Sequence, residues 1–195
     1  MMTFALPTNV TVGGREHGIR TDYRVILDIC IALADPELSN EEKAVVCIGL
    51  FFINPDEIGS EHLQEALDEC FRFINCGEAD HRKTGLKLVD WGQDFAYIAA
   101  PINRVAGREI RAIPYDFDTN TGGMHWWTFI SYYYEIGSDC VFSQIVRIRD
   151  QKARGKKLDK ADREWYQRNR ELVDFKTVYT QREDDLVAQF LPKGG

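Results

Sequence analysis

Two places in the chain combine side-chain types that could do chemistry. Asp116, Asp118 and Asn120 follow the first three ligand positions of an oxygen-rich calcium loop. The pattern stops there: Thr121 stands where the loop needs Gly, and Trp127 occupies the twelfth position, where a Glu is required. Capping and turn chemistry ahead of a helix explains these residues better. His125 and Cys140 could be drawn as a base and a nucleophile, but nothing in the sequence brings them together. The cysteines (30, 47, 70, 76, 140) are odd in number and contain no C-x-x-C pair, and His17, His62, His81 and His125 are scattered. Glu41-Glu42 and Asp68-Glu69 are paired acids at adjacent helix positions, which point apart. No G-x-S-x-G, Walker A, GxGxxG or HExxH is present. The expectation is a protein without catalytic residues, cofactor or metal.

Binding chemistry is better represented. Six of the eleven residues from Met124 to Tyr134 are Trp, Phe or Tyr. A helix with aromatics on every side is either the central core helix or turns one face to a partner, since Trp and Tyr bury a large area while keeping a polar handle. No basic residue lies in this run, which argues against a nucleic-acid stacking platform. From Arg147 to Arg170, ten Lys and Arg face four acids, a local charge of +6; the overall −7 leaves −13 for the remainder. This asymmetry suits phosphate contacts, an acidic partner or a second copy of the chain, or else a solvated helix pair with internal salt links. Candidate partner-binding residues are His125, Trp126, Trp127, Tyr132, Tyr133, Arg147, Arg149, Lys152, Arg154, Lys156 and Lys157.

These segments need elements to carry them. Asn9–Val12, Gly13-Gly14 and Arg15–Ile19 read as a hairpin with a two-residue turn. Thr21 can cap a first helix, with Tyr23, Ile26, Leu27, Cys30 and Leu33 at helical spacing and Asp35-Pro36 as its stop. Ser39 and Glu42 form a capping box for a second helix through Ile53, apolar almost all round from Ala44 and so expected to be the most buried. Ser60 can cap a third, with Leu63, Ala66, Leu67, Cys70, Phe71 and Ile74 inward and Gly77 at C′. Residues 78–84 read as a polar linker. Asp90 and Gln93 resemble a D-x-x-Q box before a fourth helix, which Pro101 should bend or shorten. Residues 107–123 are irregular, with a β-prone piece at Ile110–Ile113. A fifth helix spans about Met124–Ile136. A sixth spans about Asp139–Arg149, with Val141, Phe142, Ile145 and Ile148 inward. A seventh begins near Asp159, with Leu158, Ala161, Trp165 and Leu172 roughly on one face. The fold class is mainly α: a six- to seven-helix, bundle-like domain over 1–175 with a small N-terminal β-hairpin, then a polar tail over 176–195.

Composition sets the outer bounds. The 195 residues are 44% hydrophobic and 28% charged, ordinary for a globular chain long enough to build a core. A net charge of −7 argues against a whole-molecule DNA or anionic-membrane binder. The longest apolar-or-Gly run, Ala44–Ile53, is too short to span a bilayer, and Met1–Pro7 has no basic region of a signal peptide.

The order of features resembles the bacteriophage gene-product-fifteen family, small proteins encoded among the tail genes of siphophages and prophages. The resemblance covers about residues 6–175. It is carried by Leu6-Pro7, Gly13-Gly14, Ile19–Arg24 and Asp90–Asp94, and most specifically by Met124-His125-Trp126-Trp127-Thr128-Phe129 followed by Phe142–Arg149. Pro101–Gly107 departs from the family's aromatic-rich continuation of the fourth helix. The resemblance implies a non-catalytic tail assembly chaperone in the host cytoplasm. It would bind the tape-measure protein and further copies of itself, with the tail-tube protein as a further partner. A structural tail or head–tail connector subunit is the alternative, and a nucleic-acid-binding module using residues 147–170 a more distant one.

Overall fold

The computed structural model describes residues 5–78 and 85–176. His81, most of the 78–84 linker and nearly all of the 176–195 tail lie outside the described residues. The fold is mainly helical with a small N-terminal hairpin, as the sequence suggests. Among the described residues there are eight α-helices and a second small hairpin.

The first hairpin pairs β1 (Asn9–Val12) with β2 (Arg15–Gly18), Val12 facing Arg15 across the turn. Gly13 and Gly14 both have positive φ, the conformation a two-residue turn of this kind demands. Helix α1 (Tyr23–Ala34) is capped by Asp22, not Thr21: the Asp22 carboxylate accepts the Arg24 N–H, while the Thr21 carbonyl takes the Trp126 N–H at 2.7 Å. Ser39 and Glu42 close a reciprocal capping box on α2 (Asn40–Phe51). That helix is not the most buried. Only Cys47, Ile48 and Phe51 are fully covered, because α2 packs on α1 and α3 from one side and leaves Val45 71% exposed. Helix α1, with Tyr23, Val25, Ile26, Leu27 and Ile29 buried, holds the centre.

Ser60 begins a 3-10 turn and makes no side-chain cap; α3 (Leu63–Ile74) follows. Its inward stripe is Ala66, Cys70 and Phe73, with Leu63 and Phe71 exposed. At its end Cys76, not Gly77, is the C′ residue. Cys76 has positive φ and its N–H bonds the Phe73 carbonyl, while the Gly77 N–H reaches the Arg72 carbonyl at 2.8 Å, a Schellman closure.

Helix α4 (Trp91–Ala106) runs unshortened through a buried Pro101 to a left-handed Gly107. Asp90 caps it by accepting the Gln93 N–H, but the reciprocal bond comes from Asp94, which accepts the Asp90 N–H at 2.8 Å; the Gln93 side chain is used elsewhere. Ile110–Ala112 is a 3-10 turn and not a strand. The β pairing falls instead on β3 (Tyr115–Asp116) and β4 (Thr121–Gly122). The Asp116 carboxylate accepts the N–H groups of Asp118 and Thr119, the turn chemistry expected of this loop.

Helices α5 (Trp126–Tyr134), α6 (Val141–Ala153), α7 (Lys160–Arg168) and α8 (Arg170–Val173) complete the chain. Phe142, Ile145 and Ile148 of α6 are buried, whereas Val141 is 49% exposed. On α7 the buried position is Asp162, and Ala161 faces out. One apolar cluster runs from Val12 through α1, α3 and α4 to Trp126, Phe129 and Phe142. No helix among the described residues is long and apolar enough to cross a membrane.

Candidate partner-binding surface

Residues 19–26 and 113–126 meet in a short antiparallel bridge between Asp22 and His125. The Tyr23 N–H donates to the Met124 carbonyl at 3.0 Å, and the Met124 N–H donates to the Asp22 carboxylate at 2.8 Å. Gly123 is required here: its φ is +80° and an added Cβ would lie 2.2 Å from the Asp22 carboxylate. Burial pushes the Asp22 carboxyl up, while the Met124 and Arg24 N–H groups work the other way.

This bridge delivers the two-tryptophan block onto α3. The Trp126 indole donates to the Ile74 carbonyl and the Trp127 indole to the Phe73 carbonyl, each at 2.9 Å. A helix end leaves its last carbonyls short of donors; the Trp126 indole supplies one to Ile74, and the Trp127 indole adds a second to the Phe73 carbonyl that Cys76 already engages. Trp126 is 2% exposed and stacks on Phe129, which in turn stacks on Tyr23 at 4.8 Å. Trp126 is therefore a core residue with no surface to offer a partner. Trp127, Tyr132 and Tyr133 are half-buried and packed against the core. Burial, with Tyr134 and Asp94 nearby, pushes the Tyr133 hydroxyl up to about 12.

His125 caps α5. Its Nδ1 accepts the Trp127 N–H at 3.1 Å, so Nε2 carries the proton and donates to the Pro7 carbonyl at 3.0 Å. Burial holds this imidazole below its ordinary pKa, against the Pro7 carbonyl. Cys140 caps α6 and bonds Ser143 and Gly137; among the described residues no hydrogen bond links it to His125.

The basic segment divides into spent and free charges. Arg149 is 4% exposed and forms two bonds to the Asp94 carboxylate, at 2.6 and 3.0 Å. It also donates to the carbonyls of Leu88, Leu172 and Val173. It is a structural centre and not a surface contact. Arg147 is paired with Asp162, which Gln144 and Gln151 also hold; burial raises the Asp162 carboxyl, but these hydrogen bonds bring it below its usual value. Lys152 bonds the Asp174 carboxylate and the Tyr166 hydroxyl, and Arg154 bonds Asp150 at 2.6 Å. Lys156 and Lys157 are exposed and make no ion pair among the described residues. Of the candidate residues, Lys156 and Lys157 keep free charges, and Trp127, Tyr132 and Tyr133 keep partly exposed rims.

Sequence reasoning missed Asp94, Gln93, Asp162 and Asp174 as the groups that organise this end of the molecule. Asp94, four residues after the cap Asp90, carried the only usable signal, and it reads equally well as a second capping acid.

No curated protein and no solved structure matches the chain significantly. The family model described as Bacteriophage Gp15 protein matches residues 112–175, from the turn before β3 through α8 to Phe175, and this is the family that the two-tryptophan block and the arginine helix resemble.

Proposed function

We propose that this protein is a tail assembly factor of a phage or prophage, a chaperone that binds the tape-measure protein and associates with further copies of itself. Residues 1–175 act in this reading as one helical domain. The observation that carries it is the family match over 112–175, a stretch that contains the free lysines Lys156 and Lys157. Solvated lysines such as Lys156 and Lys157 suit reversible contacts to a long helical partner, since such charges speed encounter and yield to salt. The tail-tube protein is the second partner on this reading.

Co-expression with the tape-measure protein tests it. That protein should stay soluble with this chain and precipitate without it, and Lys156→Glu with Lys157→Glu should lower the recovered soluble fraction. Unchanged solubility with and without the chain overturns the reading.

A further inference from the structure

The last described residues lie across α4 and α6 as a bound peptide would. The chain leaves α8 after Val173 and turns extended at Asp174, at φ −71° and ψ 135°; the last helical turn, Leu172-Val173, and the following Asp174–Lys176 together form the strap. The Gln93 side-chain amide reads its backbone: Nε2 donates to the Asp174 carbonyl at 3.0 Å and Oε1 accepts the Lys176 N–H at 3.0 Å. Those two groups flank Phe175 and are the pair an adjacent β-strand would engage. Arg149 reads the next carbonyls, Val173 at 2.6 Å and Leu172 at 3.0 Å.

The side chains are recognised as well. The Phe175 ring lies between two cations, 4.1 Å from the Arg149 guanidinium carbon and 5.0 Å from the Lys87 ammonium. The Asp174 carboxylate accepts from Lys152, Tyr166 and Arg170. Val173 is buried. Beside this cleft a cavity of about 350 Å³ opens between the end of α1 and the start of α4, walled by Ile31, Trp91, Gln93, Lys87 and Lys176.

We infer that this cleft is a docking site for an extended acidic–aromatic peptide, filled in the isolated chain by its own Leu172–Lys176 and filled in assemblies by the same segment of a second copy. The occupant on the page defines the chemistry: any geometry that fits in cis fits in trans, which is how exchanged segments join identical chains. Most of the contacts are polar, but Val173 and Arg149 are buried, so release opens the α6–α8 end as well as freeing the strap. In cis the strap enjoys an effective concentration of order millimolar, so exchange favours copies held side by side. The inference deepens the self-association in the proposed function and names its contact.

Two experiments test it with the full chain. A photo-crosslinking phenylalanine analogue at position 175 should yield covalent dimers joined to α4 or α6, in a fraction that rises with protein concentration. Only intrachain products at every concentration overturn the inference. In the second, Gln93→Ala breaks the cleft and Asp174→Ala with Phe175→Ala breaks the strap. A labelled peptide of residues 170–176 should bind the strap-broken chain about tenfold more tightly than the same chain also carrying Gln93→Ala, a difference of about 1.4 kcal/mol. Equal binding to both, or none, overturns it. A chain that keeps the tape-measure protein soluble yet gives only intrachain cross-links loses strap exchange alone. Loss of solubilisation with concentration-dependent dimers intact loses the chaperone reading alone.

Discussion

Arg20 and Arg149 are both buried guanidiniums, at 7% and 4% exposure, yet they are held in different ways. Arg20 faces carbonyls alone, from Gly49, Leu50, Phe52 and Ile53 where α2 ends, and stacks on Phe117 at 4.1 Å. Its counter-charge is the negative end of a helix. Arg149 faces a carboxylate that is itself fully buried. The hairpin end of the molecule therefore uses a cation to finish backbone hydrogen bonding. The α6–α8 end uses an ion pair, and an ion pair fails asymmetrically: removing one member strands the other in a dry site.

The largest effect expected from this contrast is at Arg149. Arg149→Met should cost about 3–5 kcal/mol in denaturant unfolding, because Asp94 is left charged and unpaired. Adding Asp94→Leu should return at least half of that loss; a double variant no more stable than the single would break the comparison. Arg20→Met should cost less, about 2 kcal/mol, since the orphaned carbonyls are neutral. Equal losses at the two arginines would show that the buried carboxylate is not the deciding difference.

Two smaller effects sharpen the junction between the halves. Gly77 has φ +87° and lies against Trp127, where an added Cβ would sit 3.2 Å from the ring. Gly77→Ala should cost about 1–2 kcal/mol, read as a fall in Tm. His125 gives the smallest effect, in pH dependence. Its folded pKa is depressed, so as pH falls below about 6.5 the unfolded chain takes up the proton first and stability is lost until the folded pKa is passed. Protonation also removes the Nδ1 acceptor that caps α5. His125→Asn, which keeps a capping side chain but does not titrate, should flatten the urea-stability slope between about pH 7 and pH 5 by up to ~1 kcal/mol.

Much of the scaffold was legible before the fold. The Gly13-Gly14 turn and the Ser39–Glu42 box are local devices, settled by a few adjacent residues. Errors arose where a second chain segment decides. Asp22 displaces Thr21 as cap because its carboxylate also serves Met124, about a hundred residues away. Helix α2 exposes Val45 because nothing among the described residues packs on its outer side, which an apolar stripe cannot announce. Arg149 was one of ten basic residues in its stretch, and only the buried Asp94 across the fold distinguishes it from Arg147 or Arg154. Charge patterning locates a basic arm; it does not tell which members are already spent.

The indole donors of Trp126 and Trp127 end on carbonyls at 74 and 73, far upstream of the family-matched stretch. A fragment beginning at residue 112 would carry both rings without their acceptors, and with a large apolar face bared to water. The matched stretch is thus not a module that can be cut out and passed to another chain; it is completed by helices that lie outside it.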